Sequence, residues 1–213
     1  MKNETFASLN LKKRLSPLQY ELLRKALHIL SLIIPAGMLW LGKSPAVLIL
    51  GTAAAFAVGL DILRSRFNLV NKWILFVFGS LMRPGEKKPP GGKIVLNGAT
   101  NALISAFLLI LIFPVHVAAL SFTLFMVGDG AAAVVGQLLG KRYWGRTGKT
   151  VEGSLAFLIA ALVVAVLMPG VKIWIGAAAS VLACLLEALP GPFNDNLRVP
   201  LATAGVMFLL MQI

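Results

Sequence analysis

The chain has 213 residues, 58% hydrophobic and only 13% charged, with a mean hydropathy of +0.87. That is more apolar side chain than a soluble domain of this length can bury, so an ordinary water-soluble enzyme is excluded and a polytopic helical membrane protein is expected. The formal charge of +12 does not point to nucleic acid, because the cations lie in short loops between apolar runs, where the positive-inside rule collects them.

Residues 1–25 are polar and basic, with no apolar core ahead of a small-residue cleavage site. They read as a cytoplasmic N-terminal segment and not as a cleaved signal. Residues 26–213 read as one integral-membrane catalytic domain. Its apolar runs fall at 26–42, 45–61, 97–113, 115–139, 151–168, 172–189 and 199–213. Most are at or just below the ~20 residues that cross a bilayer. A weaker run at 69–82 contains Lys72 and is flanked by Arg64, Arg66, Arg83, Lys87 and Lys88. Charge decides its place. With 69–82 not crossing and the N-terminus in the cytoplasm, eighteen of the 20 Lys and Arg fall inside and only Lys43 and Lys172 outside. If 69–82 crossed, basic loops would lie on both sides. The expected fold class is therefore all-α: a membrane helix bundle of about seven transmembrane helices plus one interfacial or re-entrant helix at 69–82, in a prokaryotic inner or plasma membrane. The lone Cys184, in an apolar run, has no intramolecular disulfide partner and reads as packing.

This topology brings Asp61, Asp129, Glu152, Glu187 and Asp195 to the cytoplasmic face, five of the eight acids in the chain. Carboxylates and cations on one rim suit a site for a metal and phosphates. Asp129 reads either as a buried structural carboxylate or as a magnesium ligand, since Mg²⁺ takes one or two carboxylates plus phosphate oxygens. Gly128, Ala132, Gly136 and Gly140 form a small-residue stripe beside it, suited to close helix packing within the chain or between two copies in a homodimer. The turn GKRYWGRTGKT is not a Walker loop, because that pattern would need glycine at Tyr143. Thr150 still reads as a helix N-cap, with Lys149 placed as a phosphate ligand and Glu152 in the first helical turn.

Arg24, Lys25 and His28 form R-K-x-x-H at the entry to the first run; the cations suit a cytoplasmic flank, whereas His28, one turn into apolar sequence, is not explained by it. Asn97, Thr100 and Asn101 share one helix face and suit either interhelical hydrogen bonds or contact with a ribose, base or lipid head group. Glu187 is followed by PGPFNDNLRVP, which ends a helix and offers Asp195 and Asn196 as oxygen ligands.

In this order and spacing these motifs resemble the CTP-dependent lipid kinases, the family of dolichol kinase, phytol kinase and CTP-using diacylglycerol kinase, distantly related to phosphatidate cytidylyltransferase. The resemblance runs from residue 24 onward and rests on R-K-x-x-H, L-D-x-x-R at Asp61 and Arg64, N-G-A-T-N at Asn97 to Asn101, G-D-x-x-A at Gly128 to Ala132, K-T-x-E-G-S at Lys149 to Ser154, and E-A-L-P followed by D-N-L-x-V-P from Glu187 to Pro200. It implies transfer of the γ-phosphoryl group of CTP, with Mg²⁺, to the hydroxyl of a membrane lipid alcohol of polyprenol, phytol or diacylglycerol type. Under it, Asp129 with Glu152 or Asp195 would hold the metal, and Lys149 with Arg24 or Lys25 the phosphates. Asn97, Thr100, Asn101, Gly128 and Asn196 would shape the nucleotide pocket, with the general base open among His28, Asp61 and Glu187. CDP-lipid synthesis is the nearer alternative; a small ion-coupled transporter is the alternative of another class.

Overall fold

The computed structural model describes residues 26–79, 82, 84–145 and 148–213. Arg24 and Lys25 lie outside the described residues. Among those residues the chain is all-helical, with one isolated bridge between Tyr143 and Thr150 in place of any strand.

Helix α1 is Ile33–Leu41, preceded by a helical stretch at 26–30 with which it makes one apolar unit. Pro35 has no N–H to offer the carbonyl of Ser31, so the Ile34 amide takes it at 3.0 Å and the chain turns at residues 31–32. That turn sets the angle at which His28 projects. Gly42, at φ 78°, then redirects the chain into α2, Lys43–Arg66. The sequence pattern places the end of this apolar run at Asp61, but the helix continues, because Asp61 pairs with Arg64 one turn on, Oδ1 to Nε at 2.6 Å. Helix α3, Asn68–Phe78, takes up the weak run. A 3-10 turn at Pro84–Glu86 and an irregular segment lead to α4, Gly98–Ile112.

Helix α5, Val115–Leu139, is the hub: α1, α4, α6, α7 and α8 all pack on it, and it is buried at nearly every position from Val117 to Met126. Its most extensive partner is α6, Val151–Leu167. The small-residue stripe explains how closely they meet. A Cβ on Gly128 would stand 2.8 Å from the Phe157 ring, one on Gly136 2.9 Å from Thr150 Oγ1, and one on Gly153 2.8 Å from the carbonyl of Ala132. The stripe expected to serve either an intrachain contact or a second copy is thus covered by α6 of the same chain. Thr150 caps α6 as expected, its hydroxyl accepting from the Gly153 amide at 3.1 Å. Helices α7, Ile173–Ala188, and α8, Asp195–Leu210, complete the bundle. Helix α8 begins four residues ahead of the apolar run at 199, because Asn194 accepts from the Asn196 amide and caps it.

Two helices, Lys43–Arg66 and Val115–Leu139, are long and apolar enough to cross a membrane. Ala26–Leu41, Asn68–Phe78, Gly98–Ile112, Val151–Leu167 and Ile173–Ala188 are apolar but shorter. The outer surface is nonetheless strongly apolar, with Trp40, Leu48, Phe56, Leu138 and Leu167 all well exposed.

Candidate functional site

Three groups of polar side chains gather near the N-terminal ends of α4, α6 and α8. The first is built on Asp61, which is buried to 1% exposure with every oxygen engaged. Oδ1 accepts from Arg64 Nε at 2.6 Å and from Asn97 Nδ2 at 3.0 Å, and Oδ2 accepts from the Asn97 amide at 2.9 Å. Arg64 goes on to donate to the carbonyls of Glu86 and Val95, at 2.8 and 2.6 Å. A buried carboxylate needs such donors to stay charged. The network clamps the segment after α3 against α2 and makes Asp61, both of whose oxygens accept hydrogen bonds, a structural anchor.

Asn97 is the N-cap of α4, its Oδ1 accepting from the Thr100 amide at 2.9 Å. Asn101 Nδ2 donates to the carbonyls of Asn97 and Leu96. Asn196 Nδ2 reaches from α8 to the carbonyl of Gly98 at 2.8 Å. These amides, expected at a nucleotide, hold helix ends together in the structure.

The second group is His28 and Asp129, Nδ1 to Oδ2 at 3.2 Å, both mostly buried. The third is Lys149, set between Glu187 and Asp195. Its ammonium donates to Glu187 Oε1 at 2.9 Å, to Asp195 Oδ2 at 2.8 Å and to the carbonyl of Glu187. Those partners match the three donors of an ammonium. Arg198 Nη2 holds the other Asp195 oxygen at 2.8 Å and also donates to the carbonyls of Leu186 and Leu189. Burial acts to lower the Lys149 pKa, but the hydrogen bond to Asp195 and the charge and hydrogen bond of Glu187 outweigh it, leaving it above its ordinary 10.5. Asp129 and Asp195 lie close enough to Glu187 for their charges to act on it, so the second and third groups are neighbours.

Glu152 stands apart from them. Its Oε2 accepts from the amides of Lys141 and Arg142, at 3.2 and 3.3 Å, and so stitches the basic turn to the start of α6. Trp144 Nε1 does the same from the turn side, donating to Ser154 Oγ at 3.0 Å. Among the described residues no three His, Cys, Asp or Glu side chains close on a common metal position. Of the expected ligands, Asp129 with Glu152 or Asp195, Glu152 accepts from the turn amides and each Asp195 oxygen meets a cation. Gly128, expected at the nucleotide, is packed against Phe157.

A cavity of about 500 Å³ opens beside these groups. Its polar end is formed by His28, Asp61, Glu86, Asn97, Thr100 and Asn196. Its walls are apolar, with Leu27 and Ile34 from the first helix, Ala57 and Leu60 from α2, Ile74 and Phe78 from α3, and Ala102 and Leu103 from α4. Two features of this region were not read from the sequence. Glu86 is a buried acid in an otherwise basic segment, and Arg198 is the second cation on Asp195. Glu86 looked like one more polar loop residue, but its carbonyl is held by Arg64 and its side chain lines the cavity.

An uncharacterized protein of Rickettsia prowazekii (strain Madrid E) is 25% identical over 193 residues, covering 86% of this chain and 91% of that protein. No protein-family model matches the chain, and no solved structure matches it.

Proposed function

We propose that this protein is a membrane-embedded CTP-dependent kinase that phosphorylates the hydroxyl of a lipid alcohol at the cytoplasmic face. The observation that carries the reading is the cavity, which combines apolar walls with a polar lining that includes His28, the partner of Asp129. An amphiphile with one reactive polar end fits such a shape. The motif order from Arg24 to Pro200 supplies the donor and the reaction type. Seven spans with α3 in the interface is the topology that goes with it, supported by the charge bias and by the apolar outer surface; 15- to 17-residue helices span by thinning the bilayer locally.

In this reading His28 is the general base: it lines the cavity, whereas Asp61, which lines it too, has both oxygens held by Arg64 and Asn97, and Glu187 is tied to Lys149. The lipid hydroxyl oxygen attacks the γ-phosphorus, its proton passes to His28, and the bond to the bridging oxygen breaks to release CDP. Asp129 orients His28. Asp129 would be the protein carboxylate that holds magnesium, which would supply neutralisation of phosphate charge. The motif assigns the phosphates to Arg24 and Lys25, four and three residues before His28, while Lys149 gathers Glu187 and Asp195.

Purified protein in lipid nanodiscs, given a polyprenol or diacylglycerol and CTP labelled separately at the α and γ positions, tests the proposal. A kinase moves the γ label to lipid. Transfer of the α label would establish the cytidylyltransferase alternative, and no transfer with ion-dependent flux the transporter.

A further inference from the structure

Helix α3 has two faces. Asn71, Ile74 and Phe78 share the inward one, Asn71 buried and the other two on the cavity wall. Leu69, Trp73, Phe76 and Val77 share the other, each more than half exposed, with Trp73 and Phe76 in an edge-to-face contact at 6.3 Å. Phe67, at the N-terminal end, is exposed beside them. A soluble surface rarely carries such a contiguous patch without a partner.

Charge identifies the partner. From residue 66 to residue 93 the only acid is Glu86, and it is buried, its Oε1 turned toward Gly98. The exposed ionisable side chains there are all cations, Arg66, Lys72, Lys87, Lys88 and Lys93, and none forms an ion pair among the described residues. An apolar, aromatic helix face bordered by uncompensated cations matches an anionic bilayer surface, where acyl chains take the face and headgroups take the cations.

We propose that α3 and the segment 84–93 form a recognition surface for anionic membrane lipids. The inference rests on the membrane reading and is independent of the kinase reading. Through Ile74 and Phe78, the same helix walls the cavity, so the lipids it gathers lie at the cavity's edge.

The test is lipid-selective quenching in the intact chain. With Trp40, Trp144 and Trp174 changed to Phe, Trp73 reports alone from nanodiscs holding equal fractions of brominated phosphatidylcholine or brominated phosphatidylglycerol. The proposal expects both lipids to quench, with the anionic one enriched around Trp73 on the order of fivefold, the factor one cation near a charged surface supplies. High salt or the K72Q/K87Q/K88Q/K93Q variant removes that preference and leaves quenching by the neutral lipid intact. Equal quenching by both lipids in the unmodified segment overturns the headgroup preference. Quenching by neither overturns the membrane placement of α3, and protection that vanishes on diluting protein into excess lipid assigns the face to a second copy instead.

Discussion

His28 and Asp129 stand 3.2 Å apart where the first helix meets α5, and the two substitutions there have different signatures. Under the proposed reaction, His28→Gln removes the proton acceptor and is expected to lower kcat about 10²–10⁴-fold with little change in KM. Asp129→Asn removes the carboxylate that pairs with His28 and that the proposal gives to magnesium, so it is expected to raise the magnesium concentration needed for half-maximal rate as well as to lower kcat. An unchanged magnesium titration in that variant would remove Asp129 from the metal. Lys149 makes a prediction about pH. Its folded pKa is raised, so its ion pairs contribute stability that is complete below the ordinary 10.5 and fades as pH climbs through the higher folded value. Between about pH 6 and about pH 9 the stability lost in Lys149→Gln should therefore not vary with pH, as thermal unfolding in detergent would measure. Arg64→Met leaves Asp61 charged and buried with only Asn97 as partner, and is expected to cost about 3–5 kcal/mol by the same assay.

Among the elements, α5 and α6 depend on missing side chains. Gly128→Ala drives a methyl into the Phe157 ring and is expected to destabilise by about 1–3 kcal/mol, with Phe157→Leu in the same chain restoring part of it. Local chemistry made several of these features readable in advance. Thr150 was legible as a cap, the Pro190 to Pro192 break as the end of α7, and 69–82 as a separate short helix, because each is decided by residues within a turn of one another. The boundaries that went wrong were decided at a distance or by pairing. Asp61 looked like a terminus until Arg64 neutralised it inside the helix, and α8 starts at Asp195 because Asn194 caps it.

At the scale of the whole molecule, the charge bias anticipated that the acids would share one end, but not how they divide. Asp61 belongs to Arg64 and Asn97, Glu187 and Asp195 belong to Lys149, and Glu152 belongs to the turn at Lys141 and Arg142. Such partners are chosen by packing between residues far apart in the chain, where no local pattern signals them. The cavity was illegible for the same reason, since its lining comes from four helices, the segment before α4 and single residues of α5 and α8. It is also what the functional account stands on. The most direct measurement is mass spectrometry of the lipids held by the purified protein in nanodiscs, before and after addition of CTP and magnesium. One class of lipid alcohol is expected to become its phosphate monoester, with CDP formed in equal amount, and His28→Gln is expected to slow the conversion about 10²–10⁴-fold. A lipid pool left unchanged by CTP, or one converted to a CMP-linked lipid, would contradict it.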